Sequence, residues 1–201
     1  MDEEALNHDQ VTQESHAGSP WLAAIAAGDE RAFTQLVHQY SGPVFRFLQR
    51  MLNSKADAED LTQEAFCEIY KHRGTLRVDV EIAPYLFTIA KRKAISFLRW
   101  RKVRSILSPL REVHEQTLAG RGEHARERLQ QNRREALVEA ALARLKPEKR
   151  AVLILRFFEE MNYNEIAEIM SRPVATVRSL AFRAERELRR RLQQEPEWGE
   201  S

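Results

Sequence analysis

Apolar residues recur at intervals of three and four along most of this chain, the spacing that places side chains on one face of an α-helix. The first such run contains Phe33, Leu36, Val37 and Tyr40. No stretch shows the sustained alternation of β-branched residues that marks a half-buried strand. Glycine and proline number only seven each among 201 residues, too few for an architecture rich in tight turns. The pattern predicts an all-α protein.

A first helical domain is predicted over residues 22–104. Its first long helix is expected to be interrupted at Gly42-Pro43, because both residues disfavour a helix interior. Ser54 can cap the next helix, since its hydroxyl can accept a hydrogen bond from a free amide of the first turn. Pro84 suits the first turn of a third helix, where its missing N–H costs nothing. The domain is thus predicted to be a small helical bundle.

The third helix becomes strongly basic in its second half. No acidic residue occurs between positions 82 and 111, and Phe97 and Trp100 lie among the positive charges. A helix with this charge density is too polar to be buried. It is either a solvated face or a surface that contacts phosphates and stacks on unpaired bases. Seven cations supply the charge: Lys91, Arg92, Lys93, Arg99, Arg101, Lys102 and Arg104.

Charge and turn residues divide the rest of the chain. Residues 1–21 are predicted to be a disordered acidic tail, because the first 20 positions hold five acidic residues and no lysine or arginine. Residues 105–131 are predicted to be a flexible linker, since the apolar spacing fades and two glycines and a proline occur there. A second helical domain is predicted over residues 132–193, followed by a frayed tail at 194–201.

Several classes of protein are excluded by the composition. The single cysteine, Cys67, rules out an internal disulfide and a cysteine-rich zinc site, and the six histidines are scattered. No phosphate-binding loop and no nucleophile with a base is recognisable, so we expect no enzyme, no metal and no cofactor. The acidic start and the short apolar run at 21–27 argue against an export signal and membrane insertion. A cytoplasmic protein is expected.

A helix-turn-helix pattern occupies residues 162–184. Asn162 followed by Glu165 is typical of a helix start in which side chain and backbone cap each other. Residues 171–173 can form the turn before a second helix. Either this helix enters the major groove of DNA, or the motif is an ordinary helical hairpin with a basic face. The outward-facing residues that could contact bases or phosphates are Thr176, Arg178, Ser179, Phe182 and Arg183.

An acidic face is predicted on the second helix of the first domain. Asp60, Gln63 and Glu64 are spaced by three and one, so they share one side of a helix. Their carboxylate and amide groups can meet basic side chains of a partner. The alternative is that the acidic residues only complement the positive end of the helix dipole.

Four segments resemble, in order, the bacterial RNA polymerase sigma factors of the extracytoplasmic-function (ECF) group, in the sigma-70 family. Gly28–Val37 resembles the opening of their first domain, and Lys55–Phe66 resembles their polymerase-binding segment. Ala83–Arg99 resembles the helix that opens and reads promoter DNA, and Leu145–Ala184 resembles region 4, which reads the upstream promoter element. Together these segments cover roughly residues 25–192.

The resemblance implies a non-enzymatic subunit with three kinds of partner: core RNA polymerase (its β′ clamp and β flap), promoter DNA and an anti-sigma factor. It assigns the acidic face of Asp60, Gln63 and Glu64 to the β′ clamp. The residues implied for the minus-ten element are Lys91, Arg92, Lys93, Arg99, Trp100 and Arg101. Those implied for the minus-thirty-five element are Thr176, Arg178, Ser179, Phe182 and Arg183.

A second hypothesis is a helix-turn-helix regulator that binds an operator through residues 145–192 and uses its first domain for sensing or dimerisation. The acidic face distinguishes the two hypotheses. A sigma factor needs core polymerase in order to act, whereas a repressor binds its duplex unaided.

Overall fold

The structure is a computed structural model, and it describes residues 20–75, 81–107 and 125–195. Within these ranges every regular element is helical, which confirms the predicted all-α class. The elements are α1 (Pro20–Ala26), α2 (Glu30–Leu52), α3 (Lys55–Lys71), a 3₁₀ turn (Arg73–Thr75), α4 (Ile82–Leu107), α5 (Ala125–Ala143), α6 (Pro147–Phe157), α7 (Tyr163–Met170) and α8 (Val174–Leu192). None of these helices combines the length and the apolar character needed to cross a membrane.

Two helix starts follow from single polar side chains. The Asp29 carboxylate accepts hydrogen bonds from the amides of Arg31 and Ala32 at 2.8 and 3.1 Å, and α2 begins at the next residue. The Ser54 hydroxyl accepts a hydrogen bond from the amide of Asp57 at 3.4 Å and caps α3, as predicted. Side-chain caps of this kind stabilise a helix by about 1 kcal/mol.

The predicted break at Gly42-Pro43 is wrong, because α2 runs without interruption through both residues. Proline in a helix interior removes one backbone hydrogen bond and costs about 3 kcal/mol. On either side of it, Leu36, Val44 and Phe47 are fully buried. Each buried side chain of this size contributes about 1.5–3 kcal/mol, so packing outweighs the local preference.

Helices extend into the predicted linker from both ends. α4 continues to Leu107, and α5 begins at Ala125 rather than near Asn132. Residues 125–131 are alanine, arginine, glutamate, leucine and glutamine, which have high helix propensity but no apolar spacing here. Periodicity therefore places this helix start too late. The rest of the predicted linker, and the predicted tails up to residue 19 and from residue 196, lie outside the described residues.

The helices pack around one continuous apolar core. In the N-terminal block, α1–α4, Phe47 meets Phe87 edge-on with ring centroids 5.5 Å apart. In the C-terminal block, α5–α8, Leu142, Leu153 and Val177 are almost completely buried. The blocks also touch each other, since α4 packs on α7 and α2 packs on α5 and α6. The two predicted helical domains are therefore in direct contact.

Candidate functional site

Three polar side chains project from one side of α3. Asp60, Gln63 and Glu64 are exposed, whereas Leu61 and Thr62 between them are buried. The helical repeat turns the first group outward and the second group into the core. The structure thus brings the three predicted residues together on the surface of the N-terminal block.

Ion pairs connect this acidic face to α4. Lys93 Nζ lies 3.1 Å from Glu64 Oε2 and 3.3 Å from Glu68 Oε2, and Arg92 also pairs with Glu68. Burial acts to raise the pKa of Glu68, but hydrogen bonds from Arg92 and Lys93 outweigh it and hold that pKa below its ordinary value. Two of the predicted promoter-contacting cations are therefore paired with carboxylates of α3. Sequence reasoning missed this link because spacing alone does not place α3 beside α4.

An apolar groove of about 810 Å³ opens beside the acidic face, between α2 and α3. Phe33, Phe45, Phe66 and Tyr70 line it together with Gln63 of the acidic face. The rings of Phe33 and Tyr70 lie 5.1 Å apart. Phe33 belongs to the apolar helix face predicted from the sequence, and its side chain is only partly buried and lines this groove. Such a groove suits apolar side chains of a partner.

Farther along α4 the side chains face solvent. Trp100 is 52% exposed, its ring lies 5.7 Å from that of Phe97, and the Arg104 guanidinium lies 5.1 Å from the indole centre. Arg99 is exposed, and Arg101 is exposed while donating to a main-chain carbonyl at the end of α2 at 3.3 Å. An accessible aromatic ring among cations is suited to stacking on an unpaired base beside its phosphate.

Lys91 lies on a different side of α4 from these residues. It is partly buried, and its Nζ donates a hydrogen bond to the carbonyl of Ile169, in the last turn of α7, at 2.5 Å. Burial lowers the pKa of Lys91, an effect that attraction to Glu148 opposes and repulsion by Arg172 reinforces. In the structure this amine contacts α7. Its role at DNA stays a prediction, and it requires the amine to leave this carbonyl.

α7 and α8 form the predicted helix-turn-helix. The Asn162 side chain accepts hydrogen bonds from the amides of Asn164 and Glu165 at 2.8 and 3.1 Å, and the Glu165 carboxylate accepts one from the Asn162 amide at 2.7 Å. Ser171 then ends α7 in the left-handed conformation, at φ 52°, and α8 begins at Val174. The cap and the turn predicted from the sequence are both confirmed.

The outer side of α8 carries the residues predicted to read DNA. Phe182 is 66% exposed, so most of its aromatic ring is accessible to a partner. The Nε of Arg183 donates to the Ser179 carbonyl at 3.1 Å, and the Arg178 guanidinium lies 5.4 Å from the Tyr163 ring centre. All five predicted residues are exposed: Thr176, Arg178, Ser179, Phe182 and Arg183. Hydroxyls, guanidiniums and one apolar group match the chemistry of base edges in the major groove.

Similarity to known proteins extends over both blocks. Residues 36–104 match the family model of Sigma-70 region 2, and residues 127–188 match that of Sigma-70, region 4. The RNA polymerase sigma-H factor of Pseudomonas aeruginosa is 32% identical over 176 residues, which cover 84% of this chain and 90% of that protein. The ECF RNA polymerase sigma factor SigW of Bacillus subtilis is 26% identical, with 85% of this chain and 94% of that protein covered. The chain belongs to the ECF group of the sigma-70 family.

Two solved structures share the fold of this sigma factor. One is CnrH in complex with the cytosolic domain of CnrY, with a TM-score of 0.65, 22% identity and coverage of 86% of this chain and 95% of that chain. The other is the sigma factor RpoE of Bartonella quintana in complex with the anti-sigma factor NepR, with a TM-score of 0.63 and 21% identity. It covers 81% of this chain and 98% of its own. Because the two family models match residues 36–104 and 127–188, the N-terminal block is the region 2 block of a sigma factor and the C-terminal block is its region 4 block.

Buried polar contacts join the region 2 and region 4 blocks. Arg150 of α6 is only 4% exposed, and its guanidinium donates to carbonyls at and just after the end of α5. Its Nη1 also donates to the carbonyl of Met51, in the region 2 block, at 2.5 Å. Burial and the nearby positive charge of Arg101 lower the pKa of Arg150 to about 10. A buried arginine is a strong constraint on packing, and it gave no recognisable pattern in the sequence.

A second contact between the blocks involves Phe158. Its side chain is 38% exposed, and the Arg50 guanidinium of α2 lies 4.3 Å from the centre of its ring. Phe158 follows the last residue of α6, so the helical repeat no longer determines where its side chain points. The Phe158 ring therefore contacts Arg50 of the region 2 block.

Proposed function

We propose that this chain is a non-enzymatic specificity subunit that recruits core RNA polymerase to promoters. The acidic face of α3, with the adjoining groove, binds the β′ clamp. The exposed end of α4 opens and reads the minus-ten element, the outer side of α8 reads the minus-thirty-five element, and the region 4 block also contacts the β flap. The proposal places the protein in the cytoplasm, where bacterial RNA polymerase works.

The observation that carries the proposal is the exposure of Asp60, Gln63 and Glu64 on one side of α3. Two carboxylates and one amide, beside an open apolar groove, form a surface that a basic and partly apolar partner can cover. A DNA-binding regulator could use such a surface for sensing or dimerisation, but it would bind its operator without core polymerase. A subunit that works only with polymerase requires such a surface.

The DNA-facing residues divide into two classes. Arg178 and Arg183 of α8 can donate paired hydrogen bonds to guanine, and Thr176 and Ser179 can bond to bases or phosphates. On α4, Arg99 and Arg101 supply charge for phosphates, whereas Trp100 offers a ring for a base that has left the duplex. One helix therefore reads double-stranded DNA and the other accepts separated strands.

An anti-sigma factor is proposed as a further partner. CnrH is complexed with the cytosolic domain of CnrY, and the Bartonella RpoE is complexed with the anti-sigma factor NepR. Among the residues that the structure describes, the groove between α2 and α3 is suited to an apolar segment of such an inhibitor.

In vitro transcription with added core polymerase tests the proposed function. The start sites selected from a genomic library should share two sequence elements at a constant separation, and no transcript should arise without the chain. Glu64→Lys reverses a charge of the acidic face and should weaken retention of core in a pull-down while helical content is unchanged. Glu139→Lys reverses a charge on the exposed side of α5 and should leave retention unchanged. Specific binding to a duplex operator without core, together with no transcript, would favour the regulator hypothesis.

A further inference from the structure

A tyrosine at the start of α7 lies among three helices of the region 4 block. Tyr163 is the first residue of α7, and the reciprocal cap between Asn162 and Glu165 fixes that helix start. Its side chain is partly buried and packs against the apolar core. The guanidinium of Arg156, in α6, lies 5.0 Å from the centre of the ring, and that of Arg178, in α8, lies 5.4 Å from it. One aromatic ring therefore connects a cation of α6 with a cation of the helix proposed to read the minus-thirty-five element.

Arg156 is itself fixed in place beside this ring. Its Nη1 donates a hydrogen bond to the carbonyl of Met161 at 3.1 Å, in the segment that leads into α7. The contact ties this segment to α6, so Tyr163 follows a fixed stretch of backbone. The helix cap, the apolar core and Arg156 thus hold the ring independently of Arg178. The ring can therefore serve as a support for the Arg178 side chain.

The two arginines proposed to read bases are held in different ways. The Nε of Arg183 donates to the Ser179 carbonyl, one turn earlier in the same helix, at 3.1 Å. The guanidinium of Arg178 instead lies beside the Tyr163 ring of α7. A guanidinium at this distance is attracted to the ring, because the face of an aromatic ring carries partial negative charge. Arg178 is thus supported from a neighbouring helix, whereas Arg183 is supported from its own.

Orientation decides whether an arginine can read a base edge. Guanine presents two acceptors in the major groove, and a guanidinium reads them when two of its N–H groups point at both. An unrestrained arginine loses the freedom of its long side chain on binding, which weakens the contact. Phosphate oxygens carry no sequence information, so a poorly oriented guanidinium can contact them without any gain in specificity. Contact of Arg178 with a fixed ring therefore favours base reading.

We propose that Tyr163 is a positioning residue for promoter reading, whose ring holds the Arg178 guanidinium in the orientation that reads a base pair of the minus-thirty-five element. The inference rests on the proposed function, because it requires α8 to read that element. Tyr163 acts through Arg178 and does not itself contact the base. A cation–π contact at an exposed site corresponds to about a 2- to 5-fold effect on an equilibrium, so loss of the ring should weaken discrimination at this base pair by about that factor.

Selection of duplexes from a library randomised over the minus-thirty-five element, by holoenzyme that contains the full-length chain, tests the role of the ring. Arg178→Ala and Arg183→Ala identify the base pairs that each arginine reads. Tyr163→Leu should lower discrimination about 2- to 5-fold at the base pairs of Arg178 and leave those of Arg183 unchanged. Tyr163→Phe keeps the ring and should match the unsubstituted chain. Unchanged discrimination in Tyr163→Leu, or an equal loss at the base pairs of both arginines, would overturn the inference.

A double variant separates positioning from stability. Tyr163 also packs on the core, so Tyr163→Leu can lower the melting temperature of the region 4 block as well. In the Arg178→Ala background, Tyr163→Leu should cause no further loss of discrimination, because the guanidinium that the ring supports is already gone. A further loss of the same size would show that the ring acts on α8 as a whole, which contradicts the positioning role. An equal loss in Tyr163→Phe and Tyr163→Leu would assign the effect to the hydroxyl and contradict it too.

The unsubstituted chain and Arg178→Ala separate this inference from the proposed function. Holoenzyme that selects no minus-thirty-five element contradicts the proposed function, and the role of Tyr163 along with it. If the element is selected but Arg178→Ala keeps every preference, Arg178 reads no base and only the positioning role is contradicted. The same holds if Arg178→Ala loses a preference that Tyr163→Leu retains.

Discussion

Among single residues, Trp100 has the environment that most clearly suits a contact with DNA. About half of its surface is exposed, beside Phe97 and under the guanidinium of Arg104. A large aromatic ring normally gains stability by burial, and this one forgoes part of that gain. Its position near the end of α4 leaves a ring face for an unpaired base. The alternative, that the ring packs under the segment after α4, predicts a loss of stability instead.

Trp100→Ala is expected to leave core binding and the initial promoter complex nearly normal but to reduce strand opening. Stacking of a base on an aromatic ring is worth about 1–3 kcal/mol and depends little on salt. Permanganate reactivity of unpaired thymines measures the opening, and a promoter with a pre-melted bubble should rescue the variant. A lower melting temperature with a proportional loss of core binding would support the packing alternative.

Arg178→Ala is expected to relax the preference at one or two base pairs of the minus-thirty-five element. A guanidinium that reads a guanine contributes about 1–3 kcal/mol of discrimination against other bases. Selection of bound duplexes from a randomised library by the holoenzyme measures the preference at each base pair. Arg183→Ala is measured beside it as the neighbouring variant. A uniform loss of affinity over all sequences would show that the arginine contacts only phosphate.

At the scale of helices, local signals predicted most of the secondary structure. The caps at Ser54 and Asn162 and the turn before α8 depend on neighbours in the chain, so a single sequence reveals them. The uninterrupted passage of α2 through Pro43 depends on burial by other helices, which local propensity does not report. The apolar spacing did not predict the early start of α5, because the first turns of this helix are polar.

The ion pairs between α3 and α4 couple two predicted binding surfaces. Glu68→Gln removes the negative charge that Arg92 and Lys93 share and should strengthen binding of the free chain to non-specific duplex DNA. Each cation that gains a phosphate contact steepens the dependence of log K on log salt by about 0.9, so an increase of roughly 1–2 is expected. Filter binding over a range of salt concentrations gives this slope.

Glu59→Gln is the matched control for that measurement. Glu59 is on the same helix and pairs with Lys55 one turn away, at 3.8 Å, so its loss frees no cation of α4. Equal slopes for the two variants would contradict the coupling of α3 to α4.

The junction of α6 and α8 should respond to acid. Hydrogen bonds from Lys149 and Arg191 lower the pKa of Glu187 from 4.5 to about 2. A lowered pKa in the folded state gives stability that is complete above pH 4.5 and is lost as the pH falls towards about 2. Glu187→Gln should therefore lower the free energy of unfolding by up to about 1 kcal/mol at pH ~6 and by less at pH ~3. Urea unfolding at the two pH values measures this difference.

Glu185→Gln serves as the control for the acid dependence. Its carboxylate pairs with Arg189 on the same helix at 2.9 Å and does not bridge to α6. If Glu187→Gln lowered the free energy of unfolding equally at both pH values, the ion pair would not be the cause of the acid dependence.

For the whole molecule, the sequence predicted two helical domains and the surfaces each would use, but not their docking. The acidic face and the outer side of α8 follow from helical spacing, so they could be predicted residue by residue. The contacts of Lys91 with α7 and of Arg150 with α2 join positions far apart in the chain. No periodicity encodes such a pairing, and a charged residue is ordinarily expected at the surface. The groove could not be predicted for the same reason, because it exists only once the relative positions of α2 and α3 are known.

The acceptors of the hydrogen bonds that Lys91 and Arg150 donate across the boundary have a consequence for how this interface varies among related chains. Both acceptors are main-chain carbonyls, of Met51 and Ile169, which every amino acid supplies. Substitution at Met51 or Ile169 alters packing but keeps the carbonyl acceptor. A change at Lys91 or Arg150 is therefore not accompanied by a compensating change of the acceptor residue. Pairs of alignment columns that vary together report spatial contact. Methods that infer contacts from such pairs will therefore detect the apolar contacts of this boundary and miss its hydrogen bonds.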